Sequence, residues 1–187
     1  MVRLFVKNLA YMIEIKTGDI PCCVYISDVE EHKEFKNKFI EFLSCNNIHG
    51  AKVGEDDIYN TDFFVKAHPS TDNRYVDLVL PIIYKHNNAL HSFLKYITPI
   101  EVDNIWFQQY KKGNQHTWHR HKFSIFSNVY YVDLAEGVSK TTFRFLGKEF
   151  SVEVNEGQIL TFPSYLEHCS KPNLSDKIKT VIAFNSN

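Results

Sequence analysis

"HTWHRHKFSIFSNVYYV", residues 116–132, places three histidines within six residues and then runs into β-rich sequence. On a strand, residues two apart point to the same face, so His119 and His121 would present two imidazoles side by side. Two imidazoles can share one metal ion, and a third ligand must then come from elsewhere. His168, in "FPSYLEHCSKPN" (162–173), is the candidate. Three protein ligands leave coordination positions open, which suits a catalytic rather than a structural metal. His116 is out of phase with His119 and reads as a loop residue or a support behind the pair. His32, His49, His68, His86 and His91 lack such a context and read as surface or packing residues.

Outward from this stretch the pattern is period two. "VDNIWFQQY" (102–110), "FSNVYYVDL" (126–134), "KTTFRFLG" (140–147), "EFSVEV" (149–154), "GQILTF" (157–162) and "KIKTVIAFN" (177–185) are short β-rich runs. "KKGNQ", "AEG", "LGKE" and "VNEG" supply turns between several of them. Short strands with regular punctuation indicate a sandwich or barrel. Upstream of Pro99 the signals are helical. "SDVEEHKEFKNKFIEFLSC" (27–45) opens with a capping-box pattern, Ser27 and Glu30, and carries a stripe of Phe35, Phe39, Phe42 and Leu43. A second helix is predicted to begin at Pro81, with Ile82, Ile83, Leu90, Phe93, Leu94 and Ile97 on one side and Pro99 at its end. Both stripes are expected to cover a sheet. The reading is one domain over 1–187: a helix-rich supporting region (1–99) and a β core carrying the metal site (100–187).

Bulk properties narrow the function. The chain has 187 residues, 44% hydrophobic and 14% aromatic, which suits a folded domain with a real core. A net charge of −1 argues against a nucleic-acid partner. The longest apolar runs, such as "LVLPII" (78–83), are too short to span a bilayer, and no signal peptide is read. Cys22, Cys23, Cys45 and Cys169 form no C-x-x-C pair, so reduced thiols and a cytoplasmic location are expected. Trp106 and Trp118 read as packing or pocket-wall residues, and Arg144 as a surface residue of the barrel.

The order "IWFQQYKKGNQHTWHRHKFSIFSNVYYVDL" (105–134), "VNEGQILTFPSYLEHCSKPN" (154–173), "KIKTVIAFN" (177–185) resembles the small 2-oxoglutarate/Fe(II) dioxygenases related to prolyl hydroxylases. The resemblance covers residues 100–187, and "NTDFF" (60–64) fits its lead-in more weakly. It implies a mainly β, α+β fold: a double-stranded β-helix, or jelly-roll barrel, with the N-terminal helices packed on one sheet. The usual ligands of the family are His-x-Asp/Glu and a distant His, which map to His119, His121 and His168. His121 thus stands where an acid is usual, and an H-x-H version typifies the small-protein subgroup. The resemblance also implies Fe(II) as cofactor and 2-oxoglutarate as cosubstrate. The far carboxylate of 2-oxoglutarate would meet a basic residue on the late strand, with tyrosines helping. Lys179 takes that place, where Arg is common, with Lys177 as the alternative in the same phase and with Tyr131 and Tyr110 as the tyrosines. The implied activity is hydroxylation of an unidentified substrate by O2, yielding succinate and CO2. Two other readings stay open: a cupin-like three-His metalloprotein that does not use 2-oxoglutarate, and an inactive barrel serving as a binding module. Oligomeric state is not legible.

Overall fold

The computed structural model describes residues 2–7, 10–17, 20–45, 51–53, 56–63 and 74–187. His49, His68 and Phe64 lie outside these residues. In chain order the first part holds β1 (Val2–Lys7), β2 (Ala10–Thr17), β3 (Ile20–Asp28), α1 (His32–Cys45), β4 (Ala51–Val53), β5 (Asp56–Ile58), β6 (Asn60–Thr61) and α2 (Arg74–Leu94). The second part holds β7 (Val102–Tyr110), β8 (His116–His119), β9 (Phe126–Asp133), β10 (Thr141–Phe145), β11 (Lys148–Ser151), β12 (Gln158–Pro163), β13 (Glu167–Ser170) and β14 (Lys179–Ser186). All six β-rich runs read from the sequence beyond Pro99 are strands.

An eight-stranded antiparallel sheet runs in the order β1-β2-β3-β12-β9-β14-β7-β6, and a four-stranded sheet in the order β11-β10-β13-β8. The second sheet faces the first without joining it into a closed ring. Strand alternation decides what lies on each face of the larger sheet. On β14, Ile182 and Phe184 join Phe35, Phe39, Tyr75, Val79 and Ile83 of the helices in one buried core. The alternate residue Val181 joins Tyr110, Tyr131, Phe143 and Phe162 in a second core between the sheets. The helices therefore cover one sheet, as expected, and leave the space between the sheets to the site. No helix among the described residues is long and apolar enough to cross a membrane.

Three expectations about the first hundred residues need correction. Among the described residues, this part of the chain contains six strands as well as two helices, and β1–β3 extend the larger sheet through the pairing of β3 with β12. Ser27 is not a helix cap. It lies in β3, and its Oγ is 2.7 Å from His86 Nδ1, so its hydroxyl is satisfied by a partner far away in sequence. The second helix begins at Arg74, and Pro81 sits inside it on the exposed side. Tyr75 and Val79 continue the same buried stripe as Ile82, Ile83, His86 and Leu90, and that burial outweighs the proline's lost hydrogen bond. The helix ends at Leu94 rather than at Pro99. Lys95 turns left-handed (φ 56°), the Tyr96 amide bonds back to the His91 carbonyl at 3.3 Å, and Ile97 is left exposed.

The turn before β12 requires glycine. Gly157 has φ +85°, donates to the Tyr131 carbonyl (2.9 Å) and accepts from the Val29 amide (2.8 Å). A Cβ there would stand 3.1 Å from the His32 ring. Gly157→Ala is expected to cost roughly 1–3 kcal/mol in chemical denaturation, from backbone strain plus the clash. An unchanged midpoint would show that the turn can relax.

Candidate metal centre

His119 closes β8 and His168 lies in β13, directly opposite it in the antiparallel register. Their ring centroids are 4.2 Å apart. His121 does not share the strand, which stops at His119; it follows in a loop held by the His121 amide bonding to the Ser164 carbonyl at 3.1 Å. The loop still brings its ring to 5.3 Å from His119 and 5.2 Å from His168. One ligand atom from each of the three lies within 4.8 Å of the others.

Each ring is locked from behind. Nδ1–H of His119 donates to the Thr117 carbonyl (2.7 Å), and that of His168 donates to the Leu166 carbonyl (2.9 Å). His121 Nδ1–H donates to Asn185 Oδ1 (2.7 Å), which also accepts from Ser127 Oγ. A carbonyl oxygen can only accept, so all three Nε2 atoms keep free lone pairs, the tautomer that binds a metal. Burial pushes His121 down to about 4 and holds His119 and His168 below the usual range, so the rings stay neutral near pH 7. Three imidazoles so held could hold one metal ion, and the donor set suits iron among other metals.

His116 is the first residue of β8. Its ring stacks on His119 at 3.9 Å between centroids, and Gln108 Nε2 approaches its Nδ1 at 3.4 Å. It is therefore a support at the strand's start rather than a loop residue. His86 is a packing residue buried on the opposite face of the larger sheet, between Ser27 and Thr161. Trp106 is a wall residue: it lies over His121 (5.8 Å, 22°), with its Nε1 buried and unpartnered. Arg144 is a surface residue, over the Trp118 ring and paired with Glu149.

The same cavity that the three histidines line, about 40 Å³ in volume, is also lined by Lys179, Tyr110, Thr141 and Ser170. Lys179 is 1% exposed, whereas Lys177 is exposed. Its Nζ donates to Ser170 Oγ (2.9 Å) and lies 5.1 Å from the Tyr110 ring centre, and no described carboxylate pairs with it. Burial pushes its ammonium down to about 7. Tyr131 OH bonds with Thr141 Oγ1 (2.8 Å), and Tyr110 OH donates to Gln108 Oε1 (2.8 Å). Asn185, Ser170, Gln108 and Thr141 were not singled out from the sequence. A signal existed for the first two: Asn185 is in phase with Lys179 on β14, and Ser170 follows His168 by two residues on β13.

Residues 104–185 match the family model described as "Putative 2OG-Fe(II) oxygenase". A prolyl-4-hydroxylase from Pseudomonas putida is similar in structure, with TM-score 0.61 and 15% identity over 87% of this chain and 91% of that one. The fold is that of the 2-oxoglutarate/Fe(II) oxygenases. The viral collagen prolyl hydroxylase of Paramecium Bursaria Chlorella virus-1, solved as a 2OG complex, gives TM-score 0.57 and 11% identity over 86% and 94%. The epimerase SnoN in complex with Fe3+, alpha ketoglutarate and nogalamycin RO gives TM-score 0.61 and 10% identity over 86% and 78%. No curated protein matches the chain. The cofactors that go with this oxygenase fold are Fe(II) and 2-oxoglutarate, and the three-histidine group has the donor chemistry for the iron.

Proposed function

We propose that the protein is an Fe(II)- and 2-oxoglutarate-dependent hydroxylase, with His119, His121 and His168 as iron ligands and Lys179 as the anchor for the far carboxylate of 2-oxoglutarate. One observation carries the reading: a buried lysine without an acid partner lines the same small cavity as three tautomer-locked imidazoles. A buried ammonium with no counter-charge is costly. A dianionic cosubstrate would supply that charge and place its other end at the metal. Tyr110 lines this cavity and Tyr131 reaches its wall through Thr141, and both would bind the cosubstrate through their hydroxyls. Asn185, Thr117 and Leu166 hold the ligand rings in place. Trp106 and Phe162 keep water from the inner side. Bound Fe(II) would supply the activation of O2. With that chemistry, one oxygen atom would end in succinate as CO2 is lost from 2-oxoglutarate, and the other in a new hydroxyl on the substrate.

Anaerobic titration of the Fe(II)-loaded protein with 2-oxoglutarate tests this. A metal-to-ligand absorption band is expected, followed on admission of O2 by release of succinate. Metal retained with no band would instead favour a three-histidine metalloprotein that does not use 2-oxoglutarate.

The position of His121 gives a second check. His121→Asp exchanges a neutral ligand for a charged one and is expected to keep Fe(II) bound and tighten it by about tenfold or more. Asn185 can turn its amide to donate to the new carboxylate. Weaker Fe(II) binding by this variant would mean that the pocket is shaped for an imidazole.

A further inference from the structure

Two of the three histidines, His119 and His121, stand between two spaces, and His168 lines the inner one alone. Inward lies the small cavity with Lys179. Outward lies a cavity of about 340 Å³ that shares Trp106, Gln108, His116, His119 and His121 with the inner one. Its size is that of small-molecule sites. The rest of its wall has two characters. Ile58, Phe63 and Phe123 are apolar, and Phe123 is 90% and Phe63 46% exposed at its edge. Phe63 packs edge-on against Trp106 (5.1 Å), so with Phe123 it gives the cavity an apolar rim. Arg120 and Lys122, from the loop that carries His121, bring two positive charges to a wall whose one acid is Asp103. Arg120 also lies 4.0 Å from Glu167, a long and exposed contact that an anion can replace, because Glu167 keeps Arg144 at 3.6 Å.

The centre itself adds to that bias. Its ligands are neutral imidazoles where a carboxylate is usual in this fold. A dication with Lys179 and a dianionic cosubstrate leaves one positive charge over. Asp56, close to His116, lines neither cavity, and its Oδ1 is engaged by the amide and hydroxyl of Thr117.

We propose, on the strength of the iron and 2-oxoglutarate reading, that the outer cavity takes a small amphiphilic anion as substrate. Its flat apolar body lies against Phe63 and Phe123, and its carboxylate turns to Arg120 and Lys122. The distinguishing feature is charge: a neutral isostere of the same shape loses the contact with the loop and with the positive centre.

Phenylacetate and its neutral amide, phenylacetamide, are suitable probes. Each is titrated by calorimetry into anaerobic protein loaded with Fe(II) and 2-oxoglutarate, with the absorption band recorded alongside. Phenylacetate is expected to bind about tenfold tighter or more, with the band kept. The double variant Arg120→Gln, Lys122→Gln is expected to lose that preference, and Phe123→Ser to weaken both probes alike. A normal band with no preference for the anion overturns the substrate assignment and leaves the oxygenase reading standing. So does a preference that survives the double variant, or loss of the band as phenylacetate is added, which would place the probe in the inner cavity. Absence of the band from the start overturns both.

Discussion

Lys179→Ala is expected to lower the affinity for 2-oxoglutarate at least ~100-fold while Fe(II) binding persists. Removing one side of a buried charge pair costs roughly 3–5 kcal/mol, because the remaining charge is stranded. Lys179→Arg should keep or improve binding through a two-pronged contact with the carboxylate. Lys177→Ala should do little, since Lys177 is exposed. The amine also titrates in a useful range. Its proton is held with a value of about 7 in the fold, against about 10.4 in an unfolded chain. Above pH 7 the free protein must take up a proton to bind the dianion, so affinity should fall with rising pH, towards about tenfold per unit. Folding stability moves the other way. Between pH 7 and 10 the unfolded chain binds a proton that the fold does not. Relative to Lys179→Met, the wild-type protein should therefore gain about 1.4 kcal/mol per pH unit over that range, with the full penalty present below pH 7. A flat difference between the two proteins would place the amine in water rather than in the cavity.

His119→Ala and His168→Ala are expected to weaken Fe(II) binding by more than ~100-fold, beyond the usual cost of losing a residue that only supports a ligand. Asn185→Ala tests that lesser effect, because it frees His121 Nδ1 from the 2.7 Å bond that fixes the ring. A loss of about 10–100-fold is expected there. His86→Ala should leave iron binding unchanged and instead lower stability by roughly 1–3 kcal/mol, since it strands the buried Ser27 hydroxyl, while Thr161 keeps its bond to Asn128. Metal analysis after anaerobic desalting, paired with thermal unfolding, separates the two outcomes. Full iron content in His168→Ala would remove the distant ligand from the set.

Much of the centre was legible because it depends on alternation. The β14 run shows Lys179, Val181, Ala183 and Asn185 on one face from the letters alone, and the structure turns the first three into the inner cavity. His119 and His168 were legible as candidate donors, but the register that sets them opposite each other was not. The errors came where a distant partner settles a local choice. Ser27 and Glu30 form a capping pattern, yet the Ser27 hydroxyl is taken by His86 of α2 and its backbone pairs with Ile159. Pro81 marks a helix start by local rule, yet Tyr75 and Val79 bury themselves against the sheet and extend the helix upstream. His121 leaves the strand but stays in the cluster because Asn185, far along the chain, catches its ring.

The two faces of β14 also bear on how such a protein can change over generations. Ile182 and Phe184 seal the helices to the sheet, while Lys179, Val181, Ala183 and Asn185 face the cavities beside the three histidines. Substitution at the second set can alter what is handled without loosening the first. One ribbon thus keeps heritable novelty and structural integrity on separate registers, and selection can revise either while the other is held.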